Sequence, residues 1–251
     1  MRLRKIRGGQ LSDTTEINDD KKVLVVLAHP DDPEFFCGGT VARWAAAGRS
    51  VAYCLLTRGD KGADDDERLT TEIAAIREAE QRAAAGVLGV EQVTFLDHPD
   101  GYLEPNLDLR RDIVRVLRQF RPDIVITCDP TNFFPSNRHI NHADHRAAGE
   151  ATLDAVYPAA RSALYFPELY HEEGLEPHKV HDVYVAGAQH TNIKVDISDH
   201  IEQKLLALRE HKSQITDFEA LAQRLRESLL DPESSPDDPR WIERFRRIEI
   251  R

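Results

Sequence analysis

The run KKVLVVLA (21–28) is apolar without interruption after its two lysines, and HPDD follows it. It is too short for a buried helix and rich in β-branched residues, which predicts a strand buried on both faces. A helix-compatible stretch follows from Glu34 to Ala47, with Gly48 as its stop. SVAYCLLT (50–57) predicts a second strand, RGDKGADDDE (58–67) a polar loop, and Thr70 to Leu88 an Ala-rich amphipathic helix ending at Gly89. VTFLD (93–97) reads as strand three. Apolar residues at 107, 109, 113, 114, 116, 117 and 120 form a helical stripe from Leu107 to Phe120, and DIVITC (123–128) is the next buried strand. A helix is expected from Ala143 to Val156, a strand within HDVYVAGA (181–188), and helices from His200 to Ser213 and Phe218 to Leu230.

Strand and helix therefore alternate, which predicts an α/β fold: a Rossmann-like three-layer sandwich with a mostly parallel central sheet and right-handed crossovers. Residues 1–20 read as a polar N-terminal extension and 21–251 as a single domain, with no repeat or interdomain linker in view. DPESSPDDP (231–239) reads by composition as a solvated loop or tail.

Charge narrows the partners. A formal charge of −11, from 33 Lys plus Arg against 44 Asp plus Glu, argues against nucleic acid and anionic membranes, which need a basic surface. The first residues lack the apolar core of a signal peptide, and no run approaches the ~20 apolar residues that span a bilayer. A soluble, cytoplasmic protein is expected. Cys37, Cys54 and Cys128 are far apart in apolar surroundings with no CxxC pair, and read as small buried hydrophobes.

In open parallel sheets ligands bind beyond the carboxyl ends of the strands. Two such ends carry chemistry here: HPDD after the first apolar strand, and DPTNFFPSNRHINHADHRAAG after DIVITC. His29 with Asp32, and His142 with His145, are each three apart, a spacing that brings two side chains to one side of a helical first turn. Two histidines and a carboxylate with an open fourth position make a catalytic zinc set, and Asp31 would be left free to act as a base. A plain capping function competes: Asp31 with Glu34 fits a capping box, and Asp32 before Pro33 fits an N-cap. His98 is not expected to be a ligand, and His139 is the substitute should His142 or His145 be misassigned.

AHPDD (28–32) with Glu34, Gly38-Gly39-Thr40 and HADHRAAG (142–149) resembles the LmbE-like (PIG-L) family of zinc-dependent de-N-acetylases. Arg77 and Glu80, Ala84, Leu88-Gly89-Val90, Asp100-Gly101, Lys204 and His211-Lys-Ser-Gln214 extend the resemblance over about residues 22–215. Ala143 stands where proline is common in the family, and Pro33 occupies a variable position. The resemblance implies that His29, Asp32 and His145 bind Zn2+, or another divalent transition metal, and that Asp31 is the general base. It further implies that His142, supported by Asp144, protonates the leaving amine or stabilises the oxyanion. Arg77, by residue type a surface helix residue, would face substrate hydroxyls, and Asp100 would bind substrate or shape its loop.

The implied substrate is an N-acetylglucosamine-type sugar or conjugate, a small molecule. TRGDKGADDDERLTTEIAAIREAE leans toward the diacetylchitobiose deacetylase-like members, which implies a homo-oligomer, trimer or hexamer; the acidic 64–67 run reads as solvated loop rather than oligomer contact. Two other readings stay open: a zinc amidase acting on another N-acyl substrate, and a non-hydrolytic Rossmann-like nucleotide- or sugar-binding module with Gly38-Gly39 as its phosphate loop. No GxGxxG or GxxxxGK[ST] follows the first strand, which weighs against the module. For His211 to Gln214, capping or packing serves as well as chemistry.

Overall fold

Alternate residues of one strand feed two separate cores. In β3 (Lys22–Leu27), Val23, Val25 and Leu27 join Trp44, Leu88 and Leu205 on one side, while Leu24 and Val26 join Ile113, Val114 and Ala148 on the other. A strand buried on both faces has no polar alternation to show, which is why the apolar run was unbroken. The computed structural model describes residues 4–5, 11–13, 20–63 and 69–251. The acidic stretch 64–67 lies outside them, as does most of 1–20.

The remaining strands are β1 (Arg4–Lys5), β2 (Leu11–Asp13), β4 (Ser50–Leu55), β5 (Gln92–Phe95), β6 (Ile124–Cys128), β7 (Asp182–Ala186), β8 (Ile193–Asp196) and β9 (Ile242–Glu249). They form one sheet in the order β1-β2-β8-β9-β7-β6-β3-β4-β5. The run β7-β6-β3-β4-β5 is parallel throughout, and β9 lies antiparallel to both β7 and β8. Helices α1 (Asp32–Ala46), α2 (Thr70–Val87), α6 (Ile201–Leu208) and α7 (Phe218–Leu229) cover one face. α3 (Leu107–Phe120) and α4 (Ala143–Val156) cover the other, and a short α5 (Pro167–His171) adds Leu169 to that core. The expected three-layer α/β sandwich is the fold.

Three features depart from the expectation, and one open alternative is decided. β8, β9 and α5 were not foreseen, and strands 4–5 and 11–13 fall within the stretch read as an extension. Residues 231–239 connect α7 to β9, so they are a loop and not a tail, and Asp231 and Glu233 both accept from Lys194 Nζ. α1 is broken at Cys37 (φ −149°, ψ 16°), which frees the amides of Gly39 and Thr40 from the helical pattern. Those amides donate to the two carboxylate oxygens of Glu243 on β9 at 3.0 and 2.8 Å, and Lys204 Nζ holds Glu243 at 2.6 Å while donating to Phe35 O at 2.8 Å.

Two glycines set close approaches. A Cβ at Gly39 would collide with Ile197, so this glycine serves helix packing rather than a phosphate loop. At Gly149 a Cβ would run into the backbone carbonyl of Cys128, so α4 lies against the end of β6 only because the side chain is missing. Gly149→Ala is expected to cost about 1–3 kcal/mol through overpacking, read as a lower denaturation midpoint at unchanged m-value. An unchanged midpoint would mean that α4 does not need this contact.

Candidate active site

The turn between β3 and α1 carries the first group of residues. Asp31 occupies the N-cap position of α1 in the left-handed region (φ 84°, ψ −29°), and its side chain makes no capping bond. Asp32 turns back instead, accepting the His29 amide at 2.8 Å. The capping-box alternative is thus overturned: Glu34, fully buried, binds Gln81 and His211 rather than the turn. DDPE is spent on the cleft and on the interior, not on satisfying a helix end.

Helix α4 brings the second group. His142 is its N-cap, with Nδ1 accepting the Asp144 amide at 3.1 Å. One turn in, His145 Nε2 lies 3.0 Å from Asp32 Oδ1, and its Nδ1 sits 3.1 Å from Asn141 Oδ1, a partner that fixes the ring. His29 Nδ1 is 3.4 Å from Asp32 Oδ2. One ligand atom from each of His29, Asp32 and His145 lies within 4.8 Å of the others, a group that could hold a metal ion; His29, His142 and Asp144 satisfy the same test.

Four carboxylates crowd this centre. His29 Nε2 faces Asp100 Oδ1 at 3.1 Å and Asp144 Oδ2 at 3.2 Å. Burial alone would lower the His29 pKa, but hydrogen bonds to Asp100, Asp144 and Asp32 outweigh it and lift it to about 12. Asp32 is driven the other way: its burial is outweighed by His145 and His29, which hold it well below the ordinary carboxylate range. Burial likewise opposes ionisation of Asp100, yet His29 and the Lys61 amide bring it down to about 2. Asp31 differs. Its burial prevails over Arg77, and its pKa rises to about 6.

The structure gives Asp144 a different company from the one the resemblance implied. Its carboxylate accepts the amides of Gly101 at 2.7 Å and Leu103 at 3.2 Å and meets His29, while His142 Nδ1 stays 4.0 Å away. Burial, reinforced by the nearby His29, lowers the His142 pKa. Arg77 is 5% exposed, so a surface role is excluded: it donates to Gly59 O at 2.9 Å, Pro30 O at 2.7 Å and Asp31 Oδ2 at 3.2 Å. His98 pairs with Asp112 at 3.2 Å. Asp31, Arg77, Asp100, His139 and the ligand group all line one cleft of about 710 Å³.

Sequence reasoning missed several neighbours of this cleft. Lys61 donates its amide to Asp100 Oδ2 at 2.9 Å and sets its Nζ 3.3 Å from the centre of the Tyr102 ring; inside a polar loop nothing marked it out. The stretch His211 to Gln214 proves to be wiring: His211 reaches Glu34, Ser213 donates to Glu80 by amide and hydroxyl at 2.8 and 2.6 Å, and Gln214 donates to Gly62 O at 2.7 Å. Its signal was the family resemblance alone.

With this geometry in hand, comparison with known proteins is decisive. The sequence profile of PIG-L, GlcNAc-PI de-N-acetylase, matches residues 24–156, from the core of β3 to the end of α4. The chain belongs to the PIG-L family. Membership carries the hydrolase class, de-N-acetylation, that the sequence led us to expect. Within PIG-L, the diacetylchitobiose deacetylase of Thermococcus kodakarensis is 39% identical over 197 residues, 78% of this chain and 71% of its own length. The N,N′-diacetylchitobiose deacetylase of Pyrococcus horikoshii, solved with its inhibitor MPG, is 29% identical with a TM-score of 0.80, covering 94% of this chain and 86% of that one. GalB, the 4-carboxy-2-hydroxymuconate hydratase of Pseudomonas putida, is 21% identical with a TM-score of 0.73 over 92% of this chain and 97% of its own; that likeness concerns the fold alone.

Proposed function

We propose that this PIG-L chain is a zinc-dependent deacetylase that hydrolyses the N-acetyl group of an N-acetylglucosamine-type sugar or conjugate. The observation that carries the reading is the meeting of His29, Asp32 and His145 with Asp31 in one cleft. Two imidazoles and one carboxylate suit zinc and its first-row neighbours better than magnesium or calcium, which prefer all-oxygen sets. We assign the ion to His29, Asp32 and His145 rather than to His29, His142 and Asp144, because Asp144 already accepts two backbone amides. When bound, such an ion supplies Lewis acidity toward an acyl oxygen and brings the pKa of water toward about 7.

Asp31 takes the proton of the attacking water, a task its raised pKa of about 6 suits at neutral pH. Since His142 Nδ1 accepts the Asp144 amide, its proton resides on Nε2, which makes it a neutral donor to the developing oxyanion rather than an acid toward nitrogen. The proton held by Asp31 then goes to the leaving nitrogen, and acetate and a free amine result. Asp144 orients His29, Arg77 orients Asp31, and Asp100, with Lys61 and Tyr102 beside it, faces the sugar. The homo-oligomer, trimer or hexamer, remains part of this reading, supported by the exposed Phe133, Phe134 and Ile140 on the segment between β6 and α4; a monomer by light scattering would remove it. No helix among the described residues is long and apolar enough to cross a membrane.

Amine release from N-acetylglucosamine, diacetylchitobiose and glucosaminide conjugates tests the proposal, with zinc-loaded and chelator-treated protein side by side. Release is expected from zinc-loaded protein only, and the ranking of substrates gives the size of the sugar subsite. No release from zinc-loaded protein would discard amino sugars and favour another N-acyl amide.

A further inference from the structure

Asp31 carries a positive φ of 84°, a backbone state that L side chains rarely adopt and that persists only where the surroundings impose it. What imposes it can be followed atom by atom. The Asp31 amide donates to Gln81 Oε1 at 2.8 Å. Gln81, fully buried on α2, donates its Nε2 to both oxygens of Glu34 at 3.0 Å. Glu34, fully buried on α1, accepts in addition from His211 Nε2 at 3.1 Å. His211 Nδ1 has no partner among the described residues, so the ring commits its one hydrogen bond to Glu34.

The polarity of this chain fixes its geometry. An amide side chain offers a donor end and an acceptor end, and only its partners decide which end faces where. Glu34, holding two N–H donors, gives Gln81 an acceptor, so the NH2 of Gln81 turns toward it. That leaves the Gln81 carbonyl oxygen for the Asp31 amide. Were the amide to flip, an NH2 would face an N–H and the turn would lose its anchor.

We propose that Gln81, oriented by Glu34 and His211, is a positioning residue that holds the Asp31 backbone in its left-handed turn and thereby keeps the Asp31 carboxylate in the cleft. The inference rests on Asp31 being the base. Arg77, one turn earlier on α2, holds the same turn through Pro30 O and the Asp31 carboxylate. The hydrogen bonds of Gln81 go to Asp31 and Glu34, not to the ligand side chains, so metal content is measured as a separate readout of the ligand set.

A charge exchange tests this in the zinc-loaded protein. Gln81→Glu sets two carboxylates against each other and is expected to lower kcat at least about 10-fold, with KM within about 2-fold and metal content unchanged. Adding Glu34→Gln reverses the polarity of the pair and removes the carboxylate clash: the carboxylate now on α2 accepts from the Asp31 amide and from the side-chain amide now on α1, whose oxygen accepts from His211. The double exchange is expected to return kcat to within about 3-fold of the parent. In an Asp31→Asn background Gln81→Glu should cost little more, because both act through one group. Should Gln81→Glu fail to fold, Gln81→Met keeps the volume and removes the acceptor. Near-parental kcat in the Gln81 variants beside a crippled Asp31→Asn overturns the positioning role alone, and so does a fully additive double variant. Near-parental kcat in Asp31→Asn itself overturns the base assignment, and the positioning role with it.

Discussion

Turnover of Asp31→Asn is expected to fall at least about 100-fold while the protein keeps its metal. The substitution isolates chemistry from geometry with unusual cleanness. Asparagine is among the few residues that tolerate the left-handed backbone, so the turn at φ 84° survives, and its side-chain oxygen still receives Arg77. What it cannot do is take a proton from water. His29→Ala should behave oppositely, losing the ion along with a donor that three carboxylates surround. Steady-state amine release and elemental analysis on both variants separate the two functions. Parental turnover in Asp31→Asn would remove it from proton transfer, and full metal occupancy in His29→Ala would refute its place in the ligand set.

Stability should respond most to Lys204→Met. Lys204 and Glu243 are almost wholly buried, and removing one partner of such a pair typically costs about 3–5 kcal/mol because the other is left charged in a dry interior. For a chain of this size the melting midpoint should drop by roughly 6–20 °C. Glu243 keeps the Gly39 and Thr40 amides, which favours the lower end of that range. Pairing the change with Glu243→Gln removes the stranded charge and should recover part of the loss. Differential scanning calorimetry of the parent and the two variants checks it, and a shift under about 2 °C for Lys204→Met would mean that the pair contributes little.

Elements announced by apolar patterning were legible; elements coded by polar partners were not. β3, β6 and α3 lie where an unbroken apolar run or a stripe put them. β9 sits inside the sheet yet reads IERFRRIE, because two of its inward positions are satisfied by charge: Glu243 by Lys204, and Arg247 by Asp182 at 2.8 Å. Nothing local distinguishes such a strand from a surface ribbon. The same logic governs the site. His29, Asp31, Asp32, His142, Asp144 and His145 were visible because they sit in two short motifs at strand ends. Arg77, Gln81 and His211 depend on chain segments that fold over them from far away, so residue type alone suggested helix surface for Arg77 and packing for His211, and gave no sign of Gln81.

The insertion of β9 between β7 and β8 also sets an order of events during synthesis. All the proposed ligands have been synthesised once His145 is added, but Glu243, which anchors the broken helix behind Asp32, is translated roughly a hundred residues later. Until then the sheet has a gap between two strands and α1 lacks its clasp. The nascent chain therefore carries the side chains proposed to bind metal before it has the frame that aligns them, and chaperone engagement or early metal capture would act on an open sheet edge in that interval.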